Sequence, residues 1–144
     1  MNKRSPLAPD SFPHLPAIDG LGLAVAASGA KYKGRDDLLL MTLCSSATVA
    51  GVFTRSDTAA APVQWCRDRI ISGTVRAILT NAGNANAFTG QHGQNSVAQT
   101  ATALGAVLDC AAEDILLAST GVIGEPLDTT ILTPHVPQLA ANDT

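Results

Sequence analysis

A strand that runs without pause into a polar loop and then into an amphipathic helix is the feature that most constrains this chain. Val75-Arg-Ala-Ile-Leu-Thr80 reads as the strand, and Asn81-Ala-Gly-Asn-Ala-Asn-Ala-Phe-Thr-Gly90 as the loop. Val97, Ala101, Leu104 and Leu108 then step by 4, 3 and 4, which stacks four apolar side chains on one helical face. Ile115-Leu-Leu-Ala118 follows as a short buried strand, so strands and helices are interleaved and crossover connections are part of the fold. Small aliphatic side chains must fill the core. The chain is 46% hydrophobic and only 3% aromatic, which favours close sheet-on-helix layers over aromatic clusters. The expected class is α/β, a layered sheet-and-helix fold.

The remaining elements fit that class. Leu21 to Ala27 alternates in bulk and is stopped by Ser28-Gly29, which predicts a strand. Lys31 to Asp37 is a charged turn centred on Gly34. Leu38 to Leu43 is a compact apolar run, and Thr48 to Thr54 alternates with Val49, Gly51 and Phe53 on one face. The Ser45-Ser46 turn between them predicts an antiparallel hairpin. Pro62 to Arg69 reads as a short helix with Pro62 in its first turn. A last helical segment is expected from about Asp128, interrupted by Pro134 and Pro137. Residues 1–18, with prolines at 6, 9, 13 and 16, read as an extended arm, and residues 19–144 as a single α/β domain.

Composition excludes several functions. The net charge is −3 and no basic block exists, because Asp68 separates Arg67 from Arg69 and Asp36-Asp37 follow Lys31, Lys33 and Arg35. Nucleic acid is therefore not an expected partner. Cys44, Cys66 and Cys110 are odd in number and far apart, and His14, His92 and His135 are equally scattered. Neither a disulfide framework nor a zinc site is expected, and no cofactor or metal is called for; the cysteines read as reduced and partly buried. The N-terminus lacks the apolar core of a signal peptide, and the longest apolar run, Leu38 to Cys44, is seven residues. That is too short to span a bilayer, so the expectation is a soluble cytoplasmic protein with no membrane contact.

Two segments break the local rules in a way that suggests a site. The Asn81–Gly90 loop concentrates Asn81, Asn84 and Asn86, whose amides either aim donors at one place or satisfy their own backbone. Ser119-Thr-Gly-Val-Ile-Gly124 follows a strand, with a hydroxyl on Thr120 and an unhindered N–H on Gly121. These two donors suit a developing oxyanion, while a phosphate nest or a ligand-free glycine turn are the other uses of such a segment. No Walker loop or GxSxG elbow is present. As nucleophiles, Ser119 and Cys110 are poor, having no histidine near in sequence. Glu113, Asp114, Glu125 and Asp128 read as surface or capping carboxylates.

The motifs occur in a recognisable order. Gly22-Leu-Ala-Val-Ala with Gly29, Thr48-Val-Ala-Gly-Val-Phe-Thr-Arg55, Ala61-Pro-Val63, Asn81 to Ala87 with Thr89-Gly90, and Ser119-Thr-Gly-Val-Ile-Gly-Glu-Pro-Leu127 together resemble the N-terminal part of one family. That family is the bacterial glutamate N-acetyltransferases, also called ornithine acetyltransferases, which are bifunctional arginine-biosynthesis proteins. The likeness runs from about Ser5 to Leu127.

The resemblance implies a fold that is similar to N-terminal nucleophile hydrolases with different connections. It implies a precursor that cleaves itself before a threonine, giving α and β chains that assemble two and two. The freed threonine of the β chain would take an acetyl group from N-acetylornithine and pass it to glutamate; many members also use acetyl-CoA. Thr120 and Gly121 match the family's oxyanion-hole pair. No catalytic role carries over to the asparagine loop, which is expected only to pack near the site and shape it. The family's self-cleavage segment, its nucleophilic threonine and its substrate-binding threonine and lysine lie beyond Thr144, which lacks a free α-amino group and cannot replace the nucleophile. This chain is therefore expected to be incomplete and inactive alone. Two alternatives remain: a self-processing amidase or aminopeptidase, which would release free acid where the transferase makes acetylglutamate, and a non-catalytic binding domain, which would be a stable monomer without a companion.

Overall fold

The structure, a computed structural model, describes residues 5–142. Four strands, β1 (Leu21–Ala26), β2 (Leu38–Leu43), β3 (Ala77–Asn84) and β4 (Ile115–Val122), lie in sequence order in one sheet. Strand β2 is antiparallel to both β1 and β3, whereas β3 and β4 are parallel. A parallel pair needs a crossover, and the helix predicted from the 4-3-4 spacing supplies it. The helices are α1 (Ala61–Arg69), α2 (Gly90–Leu108), α3 (Thr129–Leu132) and α4 (Val136–Ala141). The architecture is the mixed α/β class expected. None of these helices is long and apolar enough to cross a membrane.

One face of the sheet carries the main core. Ala24, Ala26, Leu38, Leu40, Ala77, Leu79, Ile115 and Leu117 alternate onto it and meet Val97, Ala101 and Leu104 of α2. Leu132, Val136 and Leu139 close the layer from α3 and α4. The buried stripe of α2 is wider than its hydropathy implies, because Gly93, Ser96, Thr100 and Gly105 share it. Small residues let the helix lie close: a Cβ at Gly105 would come 2.8 Å from the Cys110 carbonyl oxygen.

The opposite face is only partly covered. Register aligns Leu23, Met41, Ile78 and Leu116 in one row across the four strands. At the β4 end, Cys66, Val75 and Leu116 form a second, smaller cluster with Val49, Phe53 and Trp65. At the β1 end, Leu23 and Val25 are 48% and 57% exposed.

Two expectations need correction. Residues 48–54 do not form a hairpin with β2, since both sides of β2 are taken by β1 and β3. Thr48 makes an isolated bridge to Thr74 instead, and Val49 and Phe53 pack inward from a segment that joins none of the four strands. The strands at the site also run further than expected, Asn81–Asn84 continuing β3 and Ser119–Val122 continuing β4. The last helical segment does begin after Asp128 and is interrupted at both prolines as expected: Pro134 and Pro137 each sit in the first turn of a new helical piece, where no N–H is needed. Residues 5–18 of the expected arm contain no helix or strand, and all but Ala8 are exposed; residues 1–4 and Thr144 lie outside the described residues.

Candidate active site

The two strands that carry the suspected loops end side by side. Asn81 faces Ser119, Ala82 faces Thr120 and Gly83 faces Gly121 in the parallel ladder, and a register shift follows at Gly83/Asn84. Gly83 and Gly121 have φ of 109° and 137°, backbone that side chains with a Cβ rarely adopt. They also face each other at close range, so that a Cβ on Gly121 would collide with the backbone of Gly83. The glycine of the Thr120-Gly121 pair is thus required by strand-to-strand contact.

Alternation fixes where the two candidate donors point. Ser119 turns to the helix-covered face, where its Oγ donates to Asn81 Oδ1 at 2.6 Å. Thr120 is therefore on the opposite face, the one left partly bare, and it is exposed. The backbone of Val122 addresses β3, because its carbonyl accepts from the Ala85 N–H at 2.9 Å. The N–H and carbonyl of Leu117 instead meet Cys66 Sγ on the far side, at 3.4 and 3.2 Å. By the same alternation the Gly121 N–H addresses the outer edge of β4, not the ladder. Among the described residues the Thr120 hydroxyl makes no hydrogen bond. Both sequence-predicted site residues are thus brought together with donors facing outward.

The asparagines do something different. All three are buried, and their amides are engaged within the protein. Asn81 Nδ2 donates to the Asn84 carbonyl at 2.9 Å, and Asn84 Nδ2 donates to the Glu125 carbonyl at 3.0 Å. Asn84 Oδ1 accepts from the Asn86 N–H at 2.7 Å. Asn86, with φ of 47°, donates to the Gly93 carbonyl and Ser96 Oγ at 3.1 Å each and accepts from Thr89 Oγ1 at 2.8 Å. This network ties the end of β3 to the start of α2 and to the segment after β4. Of the two uses open to these residues, satisfying the local backbone is the one observed. A surface ion pair, Lys31 Nζ to Glu125 Oε2 at 2.9 Å, joins the charged turn to the same corner.

The weak nucleophile candidates stay weak. The Ser119 hydroxyl proton is given to an amide oxygen, which is not a base. Burial pushes the Cys110 thiol up from its ordinary value, an effect Arg76 only partly opposes. No set of three or more His, Cys, Asp or Glu side chains among the described residues is placed to hold a metal ion. The Ser119–Asn81 contact is not evident from either motif alone, although the equal positions of Gly83 and Gly121 after Asn81 and Ser119 are a signal that two strands run in register there.

Known proteins share this chain's sequence pattern and fold. The sequence pattern of the ArgJ family matches residues 22–144. The arginine biosynthesis bifunctional protein ArgJ of Brucella suis biovar 1 (strain 1330) is 54% identical over 124 residues, covering 86% of this chain and 30% of that protein. The ArgJ protein of Rhizobium meliloti (strain 1021) is 49% identical over 140 residues, covering 97% and 34%. This chain thus spans about a third of the length of these relatives. Among solved structures, ornithine acetyltransferase from Mycobacterium tuberculosis, complexed with ornithine, aligns with a TM-score of 0.85 at 34% identity over 89% of this chain and 69% of that one. The ArgJ protein of Bacillus halodurans aligns with a TM-score of 0.78 at 28% identity over 83% and 63%. Sequence and fold agree: the chain belongs to the ArgJ family.

Proposed function

We propose that this chain supplies the oxyanion hole of an acetyltransferase of arginine biosynthesis, with the Thr120 hydroxyl and the Gly121 N–H as its two donors. The observation that carries the proposal is the pair's geometry. The hydroxyl leaves one face of β4 and the next N–H leaves its edge, so one carbonyl oxygen outside that corner can be reached by both. The Thr120 hydroxyl makes no hydrogen bond among the described residues, and alternation along β4 turns the Gly121 N–H away from β3.

The chemistry follows from that placement. In this reading, a threonine at the start of a second, β chain attacks the acetyl carbonyl of N-acetylornithine, with its own amine removing the hydroxyl proton. The carbon becomes tetrahedral and its oxygen takes a full negative charge. Donors that are already oriented gain interaction energy as that charge builds and need no reorganisation. Collapse expels ornithine and leaves an acetyl-threonine. Glutamate repeats the attack, and the same two donors receive the second oxyanion. Acetyl-CoA is an alternative acyl donor under the same scheme. The reading includes self-cleavage of a longer precursor and an assembly of two α and two β chains, and this chain alone has no activity in it.

Replacement of Thr120 by valine keeps the shape of the side chain and removes the donor. In the full-length protein Thr120→Val is expected to lower turnover on the order of 100- to 1,000-fold. A loss below about threefold, with unfolding temperature unchanged, removes Thr120 from the role. Product analysis with glutamate present separates transfer from hydrolysis: acetylglutamate supports the proposal, and free acetate alone contradicts it.

A further inference from the structure

We infer that Asn81 and Ser119 are positioning residues that set the Thr120 and Gly121 donors, an inference that rests on the oxyanion-hole reading above. The regular ladder cannot set them alone. Gly83 and Gly121 have positive φ, and pairing shifts register between Gly83 and Asn84, beside the two donors. A β-bulge of this kind disrupts the ladder locally, so backbone pairing holds the neighbouring residues less firmly.

A side-chain brace spans the irregularity. Ser119 is the residue before Thr120, and its Oγ is 2.6 Å from Asn81 Oδ1. Asn81 Nδ2 reaches forward to the Asn84 carbonyl at 2.9 Å, the residue at the shift. The orientation of this amide follows from chemistry. A carbonyl only accepts, so the nitrogen of Asn81 must face Asn84, and its oxygen is left for Ser119, whose hydroxyl must then donate. Asn81 is 7% exposed, and its bond to the Asn84 carbonyl is buried while the one from Ser119 is part-buried. One buried amide thereby fixes β4 just before the donors and β3 at its bulge. Neither Asn81 nor Ser119 points to the face on which Thr120 lies, so neither touches the reacting atoms in this reading.

The test uses the full-length protein, with rates taken per mature active site counted by intact mass. Ser119→Ala is expected to lower kcat about tenfold with KM unchanged, because a donor displaced by a fraction of an ångström loses the transition state before it loses substrate. Asn81→Asp, which keeps the acceptor for Ser119 but cannot donate to the Asn84 carbonyl, is expected to show the same split and is the second variant should Ser119→Ala fold poorly. Ser119→Thr, which keeps the hydroxyl, is expected to restore kcat. In a Thr120→Val background the Ser119→Ala effect is expected to shrink to about twofold, since the brace acts through the donors. If Ser119→Ala and Asn81→Asp leave kcat within twofold while Thr120→Val keeps its large loss, the positioning role is wrong and the oxyanion hole stands. A Ser119→Ala effect that is fully additive with Thr120→Val, or that moves KM with kcat, also overturns it. If Thr120→Val itself has no effect, both fall together.

Discussion

Residue by residue, the three cysteines illustrate how local chemistry separates groups that a sequence presents as equal. Cys44 is exposed, 3.3 Å from Ser46 Oγ, and hydrogen bonding from the Ser46 side chain and then its backbone lowers its thiol. Cys66 is buried and pushed up by desolvation, against the Leu117 backbone. Cys110 is half-buried and also pushed up by desolvation. Because the thiolate is the reactive form, iodoacetamide at neutral pH is expected to label Cys44 at least about tenfold faster than Cys66 or Cys110. Peptide mass spectrometry over time reads the rates; equal labelling of Cys66 would show that α1 does not stay docked on β4. The expectation of partly buried thiols holds for Cys110 only. Burial here depends on which loop covers the residue, and nothing next to Cys44 in sequence reveals that it lies uncovered at the end of β2.

At the scale of elements, α3 depends on a single cap. Asp128 precedes it and Oδ1 accepts from the Thr130 N–H at 2.9 Å and from Thr130 Oγ1 at 2.6 Å. These bonds, the side-chain one first, lower the Asp128 carboxyl below its ordinary value. A depressed folded-state value means that the contribution to stability is present above the unfolded pKa and is lost as pH falls through the folded one. The unfolding temperature of Asp128→Ala should therefore lie below that of the parent at pH 7, and the gap should close as pH is taken below about 4. Asp128→Asn, which keeps an acceptor, should show a smaller gap at pH 7. A gap that is the same at both pH values would show that the charge plays no part. Capping of this kind is legible in sequence, because an aspartate directly before a helical segment has its acceptor next to the free N–H groups of the first turn. The extents of β3 and β4 are not legible, since Asn81, Gly83, Ser119 and Gly121 carry turn preferences that the parallel pairing overrides.

For the whole molecule, the informative feature is the asymmetry of the sheet. One face is sealed by α2, α3 and α4, and the other leaves Leu23 and Val25 in the open beside Leu39 and Met41. Adjacent exposed apolar side chains of this kind promote association. The 144-residue chain on its own is therefore expected to bind a hydrophobic dye and to self-associate as its concentration rises. Leu23→Lys combined with Val25→Thr should reduce both while changing the stability of the isolated chain by less than about 1 kcal/mol. Sedimentation and thermal unfolding check this, and a large loss of stability would show that the face is already packed. Thr120 opens onto this same face, so the bare surface and the proposed oxyanion hole look in one direction.

What the sequence determined by itself is whatever depends on neighbours along the chain. The 4-3-4 spacing specified α2, the apolar run specified β2 to the residue, and Pro62 marked the first turn of α1, because each rests on local periodicity or a fixed φ. The composite of motifs is long enough to indicate the family. Tertiary structure alone decided that residues 48–54 lie against Thr74 and not against β2, since strand partners compete over long sequence separations. It alone decided that Gly121 meets Gly83, that Ser119 spends its proton on Asn81, and that Thr120 faces outward. Those three facts depend on the register of two strands 38 residues apart, and register is a property of packing that no local pattern encodes.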